Sequence, residues 1–154
     1  MNRLALALST WFGCGYWPWG PGTAGSLAAV LIAAALHSWL GAGRLIIAAL
    51  LVVFLLPGIW ASTRTARLWN TEDPGKVVVD EVLGQWLTLL GASTLNWKTF
   101  LAGFLLFRLF DIWKPWPIRR LENLPEGTGI VLDDLGAGVY GAILLSVSGS
   151  LGIY

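Results

Sequence analysis

The sequence predicts an all-α protein, a multi-pass membrane bundle of about four to five hydrophobic helices with a short interfacial helix at the N-terminus. Three observations predict this fold class. Hydrophobic residues make up 56% of the 154 residues, only 12% are charged, and the mean hydropathy is +0.68. Five apolar stretches recur, each near the roughly 17 to 25 residues that cross the hydrocarbon core of a bilayer. The connectors between them are short, so residues 1–154 are interpreted as a single integral-membrane domain.

The first segment, MNRLALALSTWFGC, combines Arg3 with a short apolar stretch, as a signal peptide would. However, bulky Trp11 and Phe12 stand where small or aliphatic residues would precede a processed cysteine, and no small-residue cleavage site follows. An interfacial amphipathic helix is therefore the preferred interpretation. Cys14 is the single cysteine and cannot form an internal disulfide, so we expect a buried and inert thiol.

The apolar stretches that follow are predicted to form the hydrophobic helices. They are Thr23 to Leu40, Leu45 to Ala61, Val77 to Leu95, Thr99 to Trp113 and Ile130 to Tyr154. The polar connectors between them are Gly41 to Arg44, Ser62 to Lys76, Asn96 to Lys98 and Lys114 to Gly129. Tryptophans near the ends of the stretches are typical of the aromatic belts of membrane proteins: Trp39, Trp60, Trp97, Trp113 and Trp116.

Basic residues are unevenly shared among the connectors, and this predicts the orientation. If the stretches alternate across the membrane, one side receives Arg3, Arg64, Arg67, Lys76, Lys114, Arg119 and Arg120. The other side receives only Arg44 and Lys98. The positive-inside rule then places the N-terminus and both longer connectors in the cytoplasm. The net charge of +1 offers no basic surface, which argues against nucleic acid as a partner.

Five carboxylates are predicted to converge on the cytoplasmic face. Asp80 and Glu81 lie near the start of the third stretch, Asp111 near the end of the fourth, and Asp133 with Asp134 near the start of the fifth. Such a cluster can bind a hard divalent cation, and Mg²⁺ takes one or two carboxylates together with water and phosphate oxygens. The alternative is a network of ion pairs with the basic residues Arg108, Lys114 and Lys76.

The stretch FRLFDIWKPWPIRR carries charged residues at three-residue intervals. Arg108 and Asp111 share a helix face. Lys114 lies on the same face only if the helix extends that far, because the prolines at 115 and 117 favour a helix end there. One interpretation is a metal-binding carboxylate flanked by two cations that hold an anionic group, with arginine making a bidentate contact. The other is an intrahelical Arg108–Asp111 pair, with Lys114 extending to the lipid headgroups.

The segment GYWPWGPGTAGS places a glycine-rich turn before the first long helix, and Thr23 is predicted to be the N-cap of that helix. Free backbone N–H groups at a helix N-terminus bind anions, so Gly22 and Thr23 are candidate phosphate contacts. The turn is not a Walker A loop, because Ser26 stands where that loop has lysine. A turn that merely starts a helix is the alternative.

Two glycines are placed to let helices approach each other closely. Gly84 follows Asp80 by four residues and Gly138 follows Asp134 by four, so each glycine shares a helix face with an acid. Such contacts would bring the carboxylates together, although helix packing alone would also explain them. His37, the one histidine, lies at the outer end of the first long stretch, so a histidine phosphoenzyme or a His-ligated zinc site is not expected.

Four motifs in order give the chain a resemblance to the phosphatidylglycerophosphatase A family over nearly its whole length. They are GPGTAGS near the start, VDEVLGQW at 79–86, FRLFDIWKPWPI at 107–118 and GTGIVLDDLGAG at 127–138. The resemblance implies an enzyme that uses Mg²⁺ to remove the terminal phosphate of phosphatidylglycerophosphate at the cytoplasmic face of the bacterial inner membrane. It implies functional roles for Asp80, Glu81, Arg108, Asp111, Lys114, Asp133 and Asp134, with the Gly22–Thr23 turn nearby. Gly20, where the family usually has a small aliphatic residue, is expected only to loosen the turn.

The leading hypothesis is therefore a membrane phosphatase. Its candidate catalytic residues are Asp80, Glu81, Asp111 and Asp134, and its candidate Mg²⁺ ligands are these four with Asp133. The candidate phosphate-binding residues are Arg108, Lys114, Gly22 and Thr23. Water is the favoured nucleophile, because no acid has the local signature of an aspartyl-phosphate. The alternatives are a small cation transporter, which the apolar outer halves of the stretches disfavour, and a structural membrane subunit. No obligate protein partner is evident.

Overall fold

The computed structural model describes residues 1–41 and 43–154, and the regular structure in that part of the chain is helical throughout. The helices are α1 (Asn2–Ser9), α2 (Pro21–Leu40), α3 (Arg44–Trp69), α4 (Val79–Leu90), α5 (Trp97–Trp113), α6 (Ile118–Leu121) and α7 (Gly127–Ser150), with a 3₁₀ turn at Cys14–Tyr16. The all-α prediction is confirmed. The predicted connector Gly41 to Arg44 includes residue 42, which lies outside the described residues.

Three helices are long and apolar enough to cross a membrane, namely α2, α3 and α7 with 20, 26 and 24 residues. By comparison, α5 has 17 residues and α4 has 12. The described chain therefore combines three candidate spans with two shorter apolar helices. This is compatible with the predicted four to five hydrophobic helices.

Helix α4 lies at the centre of the bundle and packs against α2, α3, α5 and α7. Trp86 anchors it, because the indole N–H donates to the Ala29 carbonyl at 3.1 Å and the ring meets Trp11 edge-on with 5.5 Å between centroids. Val82, Leu83 and other apolar residues of α4 are also fully buried. The predicted stretch around α4 is thus apolar because protein surrounds it.

Two glycines bring α4 and α7 into close contact. A Cβ on Gly138 would lie 2.6 Å from the Gly84 carbonyl oxygen, and a Cβ on Gly84 would lie 2.6 Å from the Asp134 carbonyl oxygen. Neither position has room for a side chain while the helices keep this separation. The predicted close approach is confirmed, and it holds α4 at Gly84 against the segment of α7 from Asp134 to Gly138.

Helix α3 continues through Trp69, into the first half of the predicted connector Ser62 to Lys76. Arg64 and Arg67 are exposed, whereas the opposite face of the same turns is buried. Charges confined to one face of an amphipathic helix do not end it. Asn70 ends α3 instead, in the left-handed conformation at φ 48°.

Helix α1 confirms the predicted helix at the N-terminus and packs against α3. Ser9 Oγ lies 2.8 Å from Thr65 Oγ1, and the Ser9 carbonyl accepts a hydrogen bond from the Val78 N–H at 2.7 Å. Cys14 follows in the 3₁₀ turn as a free, half-buried thiol, so the expected full burial is wrong. The interfacial location of α1 stays a prediction.

Candidate active site

Four helix ends meet at one end of the bundle and bring the predicted acids together. Helices α2, α4 and α7 begin there, and α5 ends there. Asp80 and Glu81 lie in the first turn of α4, Asp134 lies seven residues into α7, and Asp111 lies in the last turn of α5. His37 lies in the last turn of α2, at the opposite end of the bundle, as predicted.

Three carboxylates form the centre of this site. Asp80, Glu81 and Asp134 each offer an oxygen, and these oxygens lie within 4.8 Å of one another. Asp80 is 7% exposed and Asp134 is 3% exposed. Each of the three has a buried oxygen without a hydrogen-bond partner among the described residues: Asp80 Oδ1, Glu81 Oε2 and Asp134 Oδ2.

These carboxylates fit a divalent cation. Buried carboxylates at this separation repel one another, and a buried oxygen without a partner carries its full desolvation cost. Mg²⁺ prefers oxygen ligands and takes few carboxylates, filling its remaining positions with water and phosphate oxygens. The three partnerless oxygens match that preference, so Asp80, Glu81 and Asp134 are the residues best placed to hold the ion.

Arg108 stands beside the three carboxylates and is paired within its own helix. Its Nη1 donates to Asp111 Oδ2, three residues further along α5. Arg108 Nε is buried and has no partner in the described part of the chain. Asp111 also interacts with Asp134 across the helix interface. The predicted intrahelical pair is therefore present, yet it leaves donor capacity on Arg108.

Gly22 brings the N-terminus of α2 against the same groups. A Cβ on Gly22 would collide with Glu81 Oε1 and would lie 3.1 Å from Arg108 Nη1. The first N–H groups of a helix have no intrahelical acceptor, and such groups bind anions. The start of α2 and the side chain of Arg108 thus present donors to the same space.

The turn before α2 differs from the prediction in one respect. The prediction of Thr23 as N-cap is wrong, because the N-cap is Gly20 and Pro21 is the first helical residue. Proline is favoured at that position, since the missing N–H would have no acceptor there. Gly20 has φ 129°, which residues with a side chain rarely adopt, so this glycine suits the turn. Thr23 lies exposed in the first turn.

Lys114 and Asp133 form a second polar group next to the carboxylates. Lys114 Nζ donates to Asp133 Oδ2 at 2.6 Å and to Glu122 Oε1 at 3.1 Å. Burial lowers the pKa of Lys114, but the hydrogen bond and charge of Asp133, followed by those of Glu122, outweigh burial and raise that pKa above its usual value. Asp133 is thus paired with Lys114 and lies outside the group of three carboxylates formed by Asp80, Glu81 and Asp134.

A cleft of about 790 Å³ opens beside Asp133. The end of α3, residues 70–73 and residues 122–126 line it. Arg67 donates to Glu126 at 2.5 Å and so joins α3 to the segment before α7. Asp133 lines this cleft and its neighbour Asp134 is one of the three carboxylates, so the cleft lies next to the site.

Sequence reasoning missed two residues of this region. Glu122 accepts from Lys114 across a turn, and no spacing rule indicates a contact between residues eight apart in a proline-containing segment. Gln85 is fully buried in α4, one turn after Glu81. The sequence did offer a signal for Gln85, namely a polar amide inside an apolar stretch. Such a group has a high free-energy cost in a membrane protein and therefore indicates a function.

Comparison with known proteins adds an independent finding. The sequence model of the phosphatidylglycerophosphatase A family matches residues 7–148. A protein of Bacteroides thetaiotaomicron named putative phosphatidylinositol-3-phosphatase is 44% identical over 149 residues, covering 94% of this chain and 93% of the relative. Phosphatidylglycerophosphatase A of Escherichia coli K12 is 38% identical, covering 90% of this chain and 79% of the relative. The Haemophilus influenzae protein of the same name is 40% identical, covering 94% and 88%. No solved structure matches the chain.

Proposed function

Since the chain belongs to the phosphatidylglycerophosphatase A family and is an enzyme, a phosphoric monoester hydrolase, we propose that it hydrolyses phosphatidylglycerophosphate to phosphatidylglycerol and phosphate, with Mg²⁺, at the cytoplasmic face of the inner membrane. The observation that carries this proposal is the group of three carboxylates next to Arg108, each of which has one buried oxygen without a hydrogen-bond partner among the described residues. Acids alone would repel a phosphate. Acids that hold a cation, next to a guanidinium group with a free donor, would bind a phosphate.

In this proposal the chain's own residues divide the work. Asp80, Glu81 and Asp134 hold Mg²⁺, which when bound neutralises phosphate charge and acts as a Lewis acid. Arg108 donates to phosphate oxygens, and the N–H groups at the start of α2 donate to the same group. Asp111 orients Arg108. The sequence predicts Asp133 as a further Mg²⁺ ligand. In this proposal Asp133 instead pairs with Lys114 and holds the lysine beside the site.

Glu81 is the proposed proton carrier. Water attacks phosphorus while the bond from phosphorus to the glycerol oxygen breaks, and the proton released by water passes by way of Glu81 to that oxygen. Glu81 suits this role because it is the least buried of the three carboxylates, so a water molecule reaches it most readily. A positioned acid–base group of this kind contributes about 10² to 10⁴-fold in rate. The products are inorganic phosphate and a lipid with a free hydroxyl.

The surroundings of Arg108 also suit a lipid substrate. Along α5, the face next to Arg108 carries exposed leucines spaced four residues apart, which are Leu101, Leu105 and Leu109. Such a row on a membrane helix faces the acyl chains of lipids. A phosphate bound at Arg108 would therefore stand at the head of an apolar surface on which the rest of its lipid could lie.

A second substrate is favoured by one observation, the name of the 44% identical relative from Bacteroides thetaiotaomicron. Phosphatidylinositol 3-phosphate and phosphatidylglycerophosphate are both phosphate monoesters on the polyol headgroup of a membrane lipid. The proposed chemistry is the same for both. The family match and two relatives support phosphatidylglycerophosphate as the main substrate.

The proposed function is tested by phosphate release from vesicles. Purified protein is given phosphatidylglycerophosphate, phosphatidylinositol 3-phosphate or phosphatidic acid, with Mg²⁺ or with chelator. We expect the fastest release from phosphatidylglycerophosphate, and release only with Mg²⁺. Faster release from the inositol lipid would favour the second substrate. If no phosphate is released from any of these lipids, the enzyme function proposed for this site is wrong. A transporter or a structural subunit would then be favoured.

The proposed orientation gives a separate prediction. In a protein whose Cys14 is replaced by serine, Glu72→Cys and Asn123→Cys should react with an impermeant thiol reagent only from the cytoplasmic side. Gly43→Cys should react only from outside, because it lies at the other end of α3 from residue 72. All three positions are exposed, so access is set by the membrane alone. Labelling of residues 72 and 123 from outside would invert the orientation and move the site off the cytoplasmic face.

A further inference from the structure

The cleft of about 790 Å³ next to the carboxylates has no part in the proposed catalysis. Its volume lies in the range of roughly 300–1,000 Å³ that is typical of sites for small molecules. Among the described residues, five carboxylates line the cleft, and Arg67 is the only cationic side chain in its wall. A surplus of negative charge repels phosphate groups. The cleft therefore suits a neutral, polar group better than a second phosphate.

Two of these five carboxylates are free to bind a molecule in the cleft. The other three are held by cations, through the pairs Arg67–Glu126, Lys114–Asp133 and Lys114–Glu122. Glu72 and Asp73 pair with no cation in the part of the chain that the structure describes. Both therefore keep their full capacity to accept hydrogen bonds.

Asp73 is the free acid that lies close to the site. Desolvation raises the pKa of its carboxyl above the usual value, the charge of Lys114 lowers that pKa, and the charges of Glu122 and Asp111 raise it. Asp111 is the partner of Arg108, so the carboxyl of Asp73 lies within the electrostatic reach of the proposed phosphate site. A group attached to a bound phosphate and directed into the cleft would pass this carboxyl.

The headgroup of the proposed substrate offers a group that matches Asp73. In phosphatidylglycerophosphate the phosphate that leaves is bonded to a glycerol unit, and this glycerol carries one free hydroxyl. A hydroxyl can donate a hydrogen bond, and an ionised carboxylate can only accept one. With the phosphate at Arg108, the part of the lipid that leads to the acyl chains can leave along α5. The hydroxyl branches from the middle carbon of the glycerol and can point into the cleft.

We propose that the cleft binds the free hydroxyls of the polyol headgroup of the substrate. Asp73 is the specificity-determining residue, and it accepts a hydrogen bond from the hydroxyl nearest to the phosphate. The ligand class is a lipid phosphate monoester carried on a polyol. A glycerol unit fills only a small part of the cleft, so the larger ring of an inositol also fits. The inference rests on the proposed function, because it requires the phosphate to be bound at the site described there.

The test compares two lipids in vesicles with Mg²⁺. One is phosphatidylglycerophosphate, and the other is its deoxy analogue, in which a propanediol unit replaces the glycerol and the free hydroxyl is absent. Both lipids carry the same charge and the same phosphate monoester, so the ratio of their kcat/KM values reports the hydroxyl alone. A hydrogen bond to a charged acceptor changes such a ratio by about 10 to 100-fold. We expect the parent to prefer the natural lipid by that factor, and Asp73→Ala to lose most of the preference.

Glu126→Ala is the matched control, because it removes a carboxylate from the same cleft, but one that Arg67 already holds. It should keep the lipid preference of the parent. Asp73→Asn keeps one acceptor oxygen and should retain part of the preference. Asp73 is exposed, so both of its variants should fold.

Three results would overturn the inference and leave the proposed function intact. They are a parent that hydrolyses both lipids equally well, an Asp73→Ala variant with the preference of the parent, and an equal loss of preference in Glu126→Ala. A parent that releases phosphate from neither lipid would contradict the proposed function itself, and this inference with it.

Discussion

Asp80→Asn and Asp134→Asn should each lower phosphate release by about 100-fold or more, the scale seen when one electrostatic contact to a transition state is removed. Neither variant should melt below the parent in chelator. Each substitution keeps the shape of the side chain but removes one negative charge from three carboxylates whose oxygens lie within 4.8 Å of one another. Relief of that repulsion offsets the loss of packing or hydrogen bonding in the metal-free fold.

Asp133→Asn is the matched control, because it makes the same chemical change at the next residue. Asp133 is paired with Lys114, so its loss weakens an ion pair instead of a repulsion. This variant should melt lower than the parent in chelator and keep more activity than Asp134→Asn. Thermal melting with and without Mg²⁺ separates the two cases. If Asp134→Asn melts well below the parent and keeps its Mg²⁺ dependence, Asp134 does not bind the ion.

Arg108→Lys should slow turnover by at least about 10-fold without unfolding the protein. Lysine keeps the positive charge beside Asp111 but lacks the planar fork that can hold a carboxylate and a phosphate together. The buried and partnerless Nε of Arg108 is the donor that the substitution removes. The loss should appear mainly in kcat, since the donors matter most when charge develops on the phosphate oxygens.

The control for this variant is Arg67→Lys. Arg67 also pairs with an acid, Glu126, but it is exposed at the cleft and away from the three carboxylates. Its replacement should leave kcat and melting within the error of the parent, as is usual for exposed ion pairs. A rate for Arg108→Lys equal to that of the parent would give Arg108 a structural role only.

The convergence of the acids could be predicted from the sequence, because alternation of helices and the positive-inside rule depend only on run lengths and charge. The side-chain partner of each acid could not be predicted from the sequence. Asp133 and Asp134 are adjacent, so their side chains point about 100° apart on α7. Only the packing of α4 and α5 against α7 decides which of the two lies next to Asp80 and Glu81. The side-chain contacts of Lys114 depend likewise on a turn that no periodicity describes.

Helix lengths were predicted less well for a related reason. Hydropathy reports how apolar a stretch is but not whether lipid or protein covers it. The centre of the bundle, α4, is as apolar as a span, yet it has 12 residues within a stretch that the sequence interprets as longer. The cap of α2 was misplaced because proline at the first helical position and Gly20 before it decide the start, and both lie upstream of Thr23.

The position of Asp134 along α7 also bears on how enzyme and substrate meet. Seven residues of helix put it about 10 Å beyond the first residue of α7, which is somewhat more than the roughly 5 to 7.5 Å thickness of one polar headgroup layer. Under the proposed orientation, a lipid phosphate can reach the carboxylates while its acyl chains remain in the leaflet. Encounter then takes place by lateral diffusion in two dimensions. The concentration that governs turnover is the mole fraction of substrate in the leaflet, and adding inert lipid slows the enzyme even when the total amount of substrate is unchanged.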